Sequence, residues 1–130
     1  MKYSIDKQEQ FTIFKVEEEK LNSIVAPQLK AELVILNNEG NRNVILNMNS
    51  VQFIDSSGLS AILVGNRLCE NDGGDLILTE VNDNVLRLIR ISQLDTILNI
   101  IPTLQESIDY IIMDELDKEL RAGDESLSDE

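Results

Sequence analysis

A chain of 130 residues with 42% hydrophobic content suffices for one domain with its own core, and an aromatic share of 4% makes that core aliphatic. The formal net charge of −13 argues against nucleic acid and anionic membrane surfaces as partners. No histidine is present, which excludes a Ser-His-Asp triad, and a single cysteine excludes an intramolecular disulfide.

Tyr3–Lys7 and Gln10–Glu17 have strand character, with Phe11 and Ile13 on one face and Phe14 and Val16 on the other. Asn22 and Ser23 offer an N-cap to a helix that carries Pro27 in its first turn and Ala26, Leu29, Leu33 and Leu36 at helical spacing. Asn37-Asn38-Glu39-Gly40-Asn41 ends it. Val44–Met48 reads as a buried central strand, followed by a short extended segment, Val51–Ile54. Leu59, Ile62, Leu63, Asn66 and Cys69 then fall on a helix that stops near Asn71-Asp72-Gly73-Gly74. Leu76-Ile77-Leu78 is a short buried strand, and Val85, Leu88 and Ile89 mark a short helix. Thr96–Ile101 reads as a last strand closed by Pro102, and Leu104, Ile108, Ile111, Ile112 and Leu116 form a final helix.

The charge is uneven. From Asp114 to Glu130 there are eight acidic and two basic residues, a local balance of −6. From Arg121 onward the composition is polar, acidic and poor in apolar groups, which predicts a disordered, solubilising tail. No repeat or linker interrupts the chain, and alternating strands and helices predict an α/β layer fold with a mixed sheet. No apolar run approaches the roughly 20 residues of a membrane span, and the N-terminus carries no apolar signal core. A cytoplasmic protein is the expectation.

The informative stretch is Asp55-Ser56-Ser57-Gly58-Leu59, where strand turns into helix. Backbone N–H groups in a first helical turn lack intrahelical partners, and the local potential is positive. A phosphate is readily held there. From spacing alone Ser56 reads first as a helix N-cap. Asp55 either orients the loop by its charge or makes a plain Asx-type turn. Gly58 admits the close approach of a partner or a neighbouring loop. Leu59 is a surface contact or a core leucine. Cys69, on the apolar face of the helix, reads as a packing residue.

That turn, with the strand Val44–Met48 before it, the Gly73-Gly74 step into the strand Asp75–Thr79, and the Asn84–Ile91 segment ahead of Leu94, resembles the STAS domain of bacterial anti-anti-sigma factors (anti-sigma factor antagonists). The likeness runs from about Tyr3 to about Met113. It implies an α/β STAS-like fold over residues 1–120, a small mixed β-sheet with helices packed mainly on one face, followed by the acidic tail at 121–130. It makes Ser56, directly after the Asp, the phosphorylated serine, with Ser57 as its support and a minor alternative acceptor. Asp55, Ser57, Gly58, Leu59 and Asn22 become the expected partner-binding residues. One departure stands out. Where such proteins usually carry Gly-Glu-Leu-Asp, this chain has Glu19-Lys20-Leu21-Asn22.

The implied function is a binding switch. The unmodified protein would hold an anti-sigma factor that is also a serine kinase, freeing a sigma factor. The kinase would phosphorylate Ser56 from ATP, and a phosphatase would reset the switch. The alternative is a constitutive STAS subunit of a larger lipid-transport or stress-sensing assembly, working without phosphate. No catalysis, cofactor or metal is expected. Gly58-Leu59-Ser60-Ala61-Ile62 lacks the second glycine of a nucleophile elbow, no Gly-rich phosphate loop appears, and Glu17-Glu18-Glu19 reads as a solvated strand end. Repulsion between Asp55 and a phosphate on Ser56 opposes the attraction of the helix N-terminus, each worth about 0.3–1 kcal/mol at an exposed site. The modified protein should therefore stay folded and switch at an interface.

Overall fold

The computed structural model describes residues 1–128, with side chains described as far as residue 123. Along the chain run β1 (Tyr3–Lys7), β2 (Thr12–Val16), β3 (Lys20–Leu21), α1 (Ala26–Asn38), β4 (Val44–Asn47), β5 (Phe53–Ile54), α2 (Ser56–Asn71), β6 (Leu76–Thr79), α3 (Asp83–Ile91), β7 (Asn99–Ile101) and α4 (Leu104–Ser128). Five strands form one sheet in the order β1-β2-β4-β6-β7, with β1 antiparallel to β2 and all other pairs parallel. This is the expected mixed sheet.

Side-chain alternation sorts the core into two layers. Phe14 and Val16 of β2, Val44 and Leu46 of β4, and Leu76 and Leu78 of β6 share the larger cluster with Leu29, Leu33 and Leu36 of α1, Ile62 and Cys69 of α2, and Val85 and Ile89 of α3. Ile45 and Ile77 point the other way and meet Ile111 of α4, with Phe11, Ile13, Leu104 and Ile108 packed around them. Three helices thus cover one face and α4 alone covers the other. At the strand ends the buried Asn43 holds the layers together. Its Nδ2 donates to the Gln10 carbonyl at 3.0 Å and to Glu115 Oε1 at 2.8 Å, and its Oδ1 accepts from the Asp75 N–H at 2.9 Å. Arg42 pairs with Glu115 beside it.

Several local expectations change. Thr96–Ile101 is not one strand. Gln93 has φ +61°, which turns the chain sharply after α3. The N–H groups of Ile97 and Leu98 both donate to the Leu94 carbonyl, at 3.1 and 2.8 Å. Leu94–Thr96 is therefore a 3₁₀ turn, and the strand begins only at Asn99. Asn22 does not cap α1 itself; the helix starts one turn later, after Val25, and Pro27 lies in its first turn. The final helix passes Leu120 and runs on to Ser128, where composition predicts disorder. Lys, Glu, Leu, Arg and Ala are strong helix formers, and Arg121 Nε reaches Asp117 one turn back at 3.1 Å. The residues from Glu119 to Gly123 are all exposed, so this stretch lies clear of the core. Asp129 and Glu130, the end of the expected tail, lie outside the described residues.

Candidate functional site

The segment Val51–Ile54 is extended as expected, but it leaves the main sheet. Its last two residues, β5, pair in parallel with β3, Lys20 opposite Phe53 and Leu21 opposite Ile54. The Gln52 and Phe53 N–H groups donate to the Glu19 carbonyl at 2.8 and 3.1 Å, and the Asp55 N–H donates to the Leu21 carbonyl at 3.3 Å. This small ladder brings the Glu19–Asn22 stretch alongside the Asp55–Leu59 turn.

Asp55 is the N-cap of α2. Its backbone is extended (φ −114°, ψ −174°), and Oδ1 accepts from the Ser57 N–H at 2.9 Å and the Gly58 N–H at 3.1 Å. The aspartate side chain thus takes the role that spacing alone offers to Ser56. Ser56 becomes the first helical residue, exposed at the start of the helix. Its hydroxyl is free of the capping duty.

The five expected partner-binding residues do not share one fate. Asp55 is exposed, and Ser57 and Asn22 are half-buried. Asn22 Oδ1 accepts from the Ile24 N–H at 3.1 Å and the Val25 N–H at 3.4 Å, which fixes the loop entering α1. Asn22 and Asp55 line one small cleft with Lys20, Leu21, Phe53 and Ile54, so this part of the expectation is a spatial neighbourhood. Gly58 and Leu59 face inward. A Cβ on Gly58 would lie 2.5 Å from the Leu21 carbonyl oxygen, so the close neighbour is β3. Leu59 is only 6% exposed and belongs to the main core. The surface around Ser56 is therefore made without their side chains.

Two apolar groups escaped the sequence reading. Ile24 is 85% exposed in the loop before α1, and Phe53 is 51% exposed on β5. The signal was present, since an isoleucine among Asn22, Ser23 and Pro27 has no helical or strand periodicity to bury it. Phe53 alternates with the more buried Ile54. A shallow cleft of about 330 Å³ lies on the other side of the turn, lined by Ser57, Ser60 and Val64 of α2 and by Pro27 and Lys30 of α1. Exposed apolar anchors beside a hydroxyl-bearing helix start form a surface suited to docking a protein.

Cys69 lies on the buried side of α2 and does not belong to this surface. Burial, with the nearby Asp75 and Asp72 charges, pushes the Cys69 thiol up to about 12, so it stays protonated and inert at neutral pH. Among the described residues no three His, Cys, Asp or Glu side chains converge as a metal cage, and no helix is long and apolar enough to cross a membrane.

Comparison with known proteins places the fold. The model of the STAS domain matches residues 2–107. The chain belongs to the STAS domain family. BtrV of Bordetella bronchiseptica, provisionally named an anti-sigma factor antagonist, is 33% identical over 72 residues, covering 55% of this chain and 62% of BtrV. The anti-sigma F factor antagonist of Paenibacillus polymyxa is 38% identical over 58 residues, 45% of this chain and 50% of the relative. The matched stretch thus spans between half and two thirds of these relatives' own length. Among solved structures, this STAS domain superposes on the anti-sigma factor antagonist SpoIIAA in its unphosphorylated form with a TM-score of 0.68 at 19% identity, covering 85% of this chain and 97% of SpoIIAA. It superposes on the phosphorylated form of Bacillus SpoIIAA with a TM-score of 0.66 at 20% identity, covering 85% and 99%. At these identities the likeness establishes the STAS fold.

Proposed function

We propose that this STAS protein is an anti-sigma factor antagonist whose binding is switched by phosphorylation of Ser56. The observation that carries the reading is the division of labour in the turn: Asp55 holds the helix start, and the adjacent Ser56 is exposed and spare. A cap residue that was also the phosphate acceptor would have to rearrange its capping hydrogen bonds on modification. Here the acceptor changes while the cap stays. The names of the relatives support the same class of function.

The partner in this reading is an anti-sigma factor that is also a serine kinase. Ile24 and Phe53 give it apolar anchors, and Asn22, Asp55 and Ser57 supply the polar part of the contact. The kinase transfers the γ-phosphoryl group of ATP to the Ser56 hydroxyl oxygen; the hydroxyl proton is lost and ADP leaves. The product carries about −1.5 to −2 extra charge at neutral pH. It sits next to Asp55 at the centre of the docking surface. Burying it without a matching cation costs more than a contact of this kind returns, so the complex separates and the sigma factor is recaptured. A phosphatase restores the hydroxyl and the cycle restarts.

The deciding experiment incubates the protein and its Ser56→Ala variant with the cognate kinase and labelled ATP, then maps the labelled peptide. Label on Ser56 in the wild type and none in the variant supports the switch. Label at wild-type level in the variant overturns it.

A further inference from the structure

The second face of the sheet is closed by one helix, and that helix is apolar on both sides. Toward the sheet α4 presents Leu104, Ile108 and Ile111, and near the strand ends Glu115. Away from it, Ile112, Leu116 and Leu120 form a row at i, i+4 and i+8, with Met113 beside them. Met113 and Leu120 are 63% and 62% exposed. A row at this spacing is the ridge that a second helix packs against. The STAS match ends at residue 107, so the row belongs to the part of the chain that the family pattern does not cover.

The border of the row is acidic. Glu106, Asp109, Asp117 and Glu119 are exposed along it, and among the described residues the cation there, Arg121, is already paired with Asp117. This charge pattern selects the occupant. A second copy would set acidic borders against each other on chains that each carry −13. An anionic bilayer and nucleic acid are repelled by the same field. We infer that the outer face of α4 is a docking ridge for a cationic amphipathic helix of a partner protein, which lays its apolar stripe on Ile112, Met113, Leu116 and Leu120 and its lysines or arginines against the acidic borders. This contact lies across the sheet from Ser56, so the protein has a second attachment point that phosphorylation of Ser56 does not touch.

The test uses the full chain and a designed Leu/Lys amphipathic peptide as probe, with binding followed by calorimetry at low and physiological salt. The variant Met113→Gln/Leu116→Gln removes apolar surface and leaves every charge in place. A control, Ile91→Gln/Ile97→Gln, removes two exposed apolar residues elsewhere. The expected result is salt-sensitive binding to the wild type, about tenfold weaker in the α4 variant and unchanged in the control, with all three proteins melting alike and labelled equally on Ser56. No binding to the wild type, or equal binding to the α4 variant, overturns the inference. So does equal weakening in the control. A dimer in sedimentation that the α4 variant dissolves would assign the ridge to a second copy. Binding to phosphatidylserine vesicles that the α4 variant abolishes would assign it to a membrane. Either outcome overturns the partner helix.

Discussion

Gly58 and Leu21 meet so closely that no side chain fits between them: a Cβ on Gly58 would stand 2.5 Å from the Leu21 carbonyl oxygen and 2.7 Å from Ile54 Cγ1. A carbonyl held in a strand ladder cannot swing away as a flexible side chain can. Gly58→Ala should therefore destabilise the protein by about 1–3 kcal/mol, despite the roughly 1 kcal/mol that alanine gains over glycine inside a helix. Urea unfolding measures it. A variant as stable as the wild type would mean that β3 yields freely.

The division between Asp55 and Ser56 gives a paired expectation. Asp55→Ala removes a side chain that accepts from two N–H groups and should lose about 1 kcal/mol. Ser56→Ala removes an exposed hydroxyl without a capping role and should change stability by less than about 0.5 kcal/mol. Thermal melts at matched pH compare the two. Equal losses would return the capping role to the serine.

Ile24 and Phe53 should matter to binding and little to folding. Phe53→Ala or Ile24→Ala is expected to weaken the complex with the anti-sigma factor proposed as partner by about tenfold or more, as loss of an apolar anchor does. The melting temperature should stay close to wild type, because both side chains are largely outside the core. Titration calorimetry settles it; undiminished affinity in both variants would move the docking surface elsewhere.

The Asp75 carboxyl predicts a pH dependence. Burial, then a hydrogen bond with Asp114, raises it from 3.8 to about 6, against the opposing pull of Lys118. Its Oδ2 is buried without a hydrogen-bond partner among the described residues, and Lys118 Nζ is 3.9 Å away. Protonation of Asp75 gives that oxygen a donor toward the neighbouring Asp114 carboxylate. The shift is upward, so the folded protein binds this proton more tightly than the unfolded chain. The resulting stabilisation is complete below pH 3.8 and is lost as the pH rises through about 6. Asp114 is lowered by the same hydrogen bond, so its own contribution disappears only at more acidic pH. Asp75→Asn, which keeps a donor toward Asp114 at every pH, should gain in melting temperature over the wild type as pH rises from about 4 to about 7. A constant difference across that range would rule out this carboxyl as the source.

Removal of the residues after Leu120 should leave folding intact. Among the described residues the last buried side chain of α4 is Glu115, and those beyond Lys118 are exposed. A chain ending at Leu120 should keep its thermal midpoint within a few degrees and be phosphorylated on the same serine. A collapse of the melting temperature would make the last turns of α4 a structural element.

The main sheet was legible because Val44-Ile45-Leu46 and Leu76-Ile77-Leu78 are apolar on both faces, as central parallel strands must be. The start of α2 was legible from Asp55-Ser56-Ser57-Gly58, but which residue caps it was not. Aspartate and serine are equally good caps, and only the extended backbone of Asp55 decides between them. The β3–β5 pair was hidden for another reason. Two-residue strands carry no periodicity, and their partners are 33 positions apart in sequence. The break at Leu94–Thr96 depends on a left-handed Gln93, a conformation glutamine seldom announces. Helix beyond Arg121 was missed because low apolar content speaks against packing, while helix propensity needs none.

The short β3–β5 ladder has a kinetic consequence. Loops entering two different helices are tied together before any partner arrives, at Lys20–Phe53 and Leu21–Ile54. Ordering a free loop costs roughly 1–2 kcal/mol per residue, and a surface assembled in advance avoids that loss on association. Encounter then depends on diffusion and charge, with no folding step in its path. In the proposed switch, adding or removing one phosphate on such a platform would act mainly on residence time, with no remaking of the surface between partners.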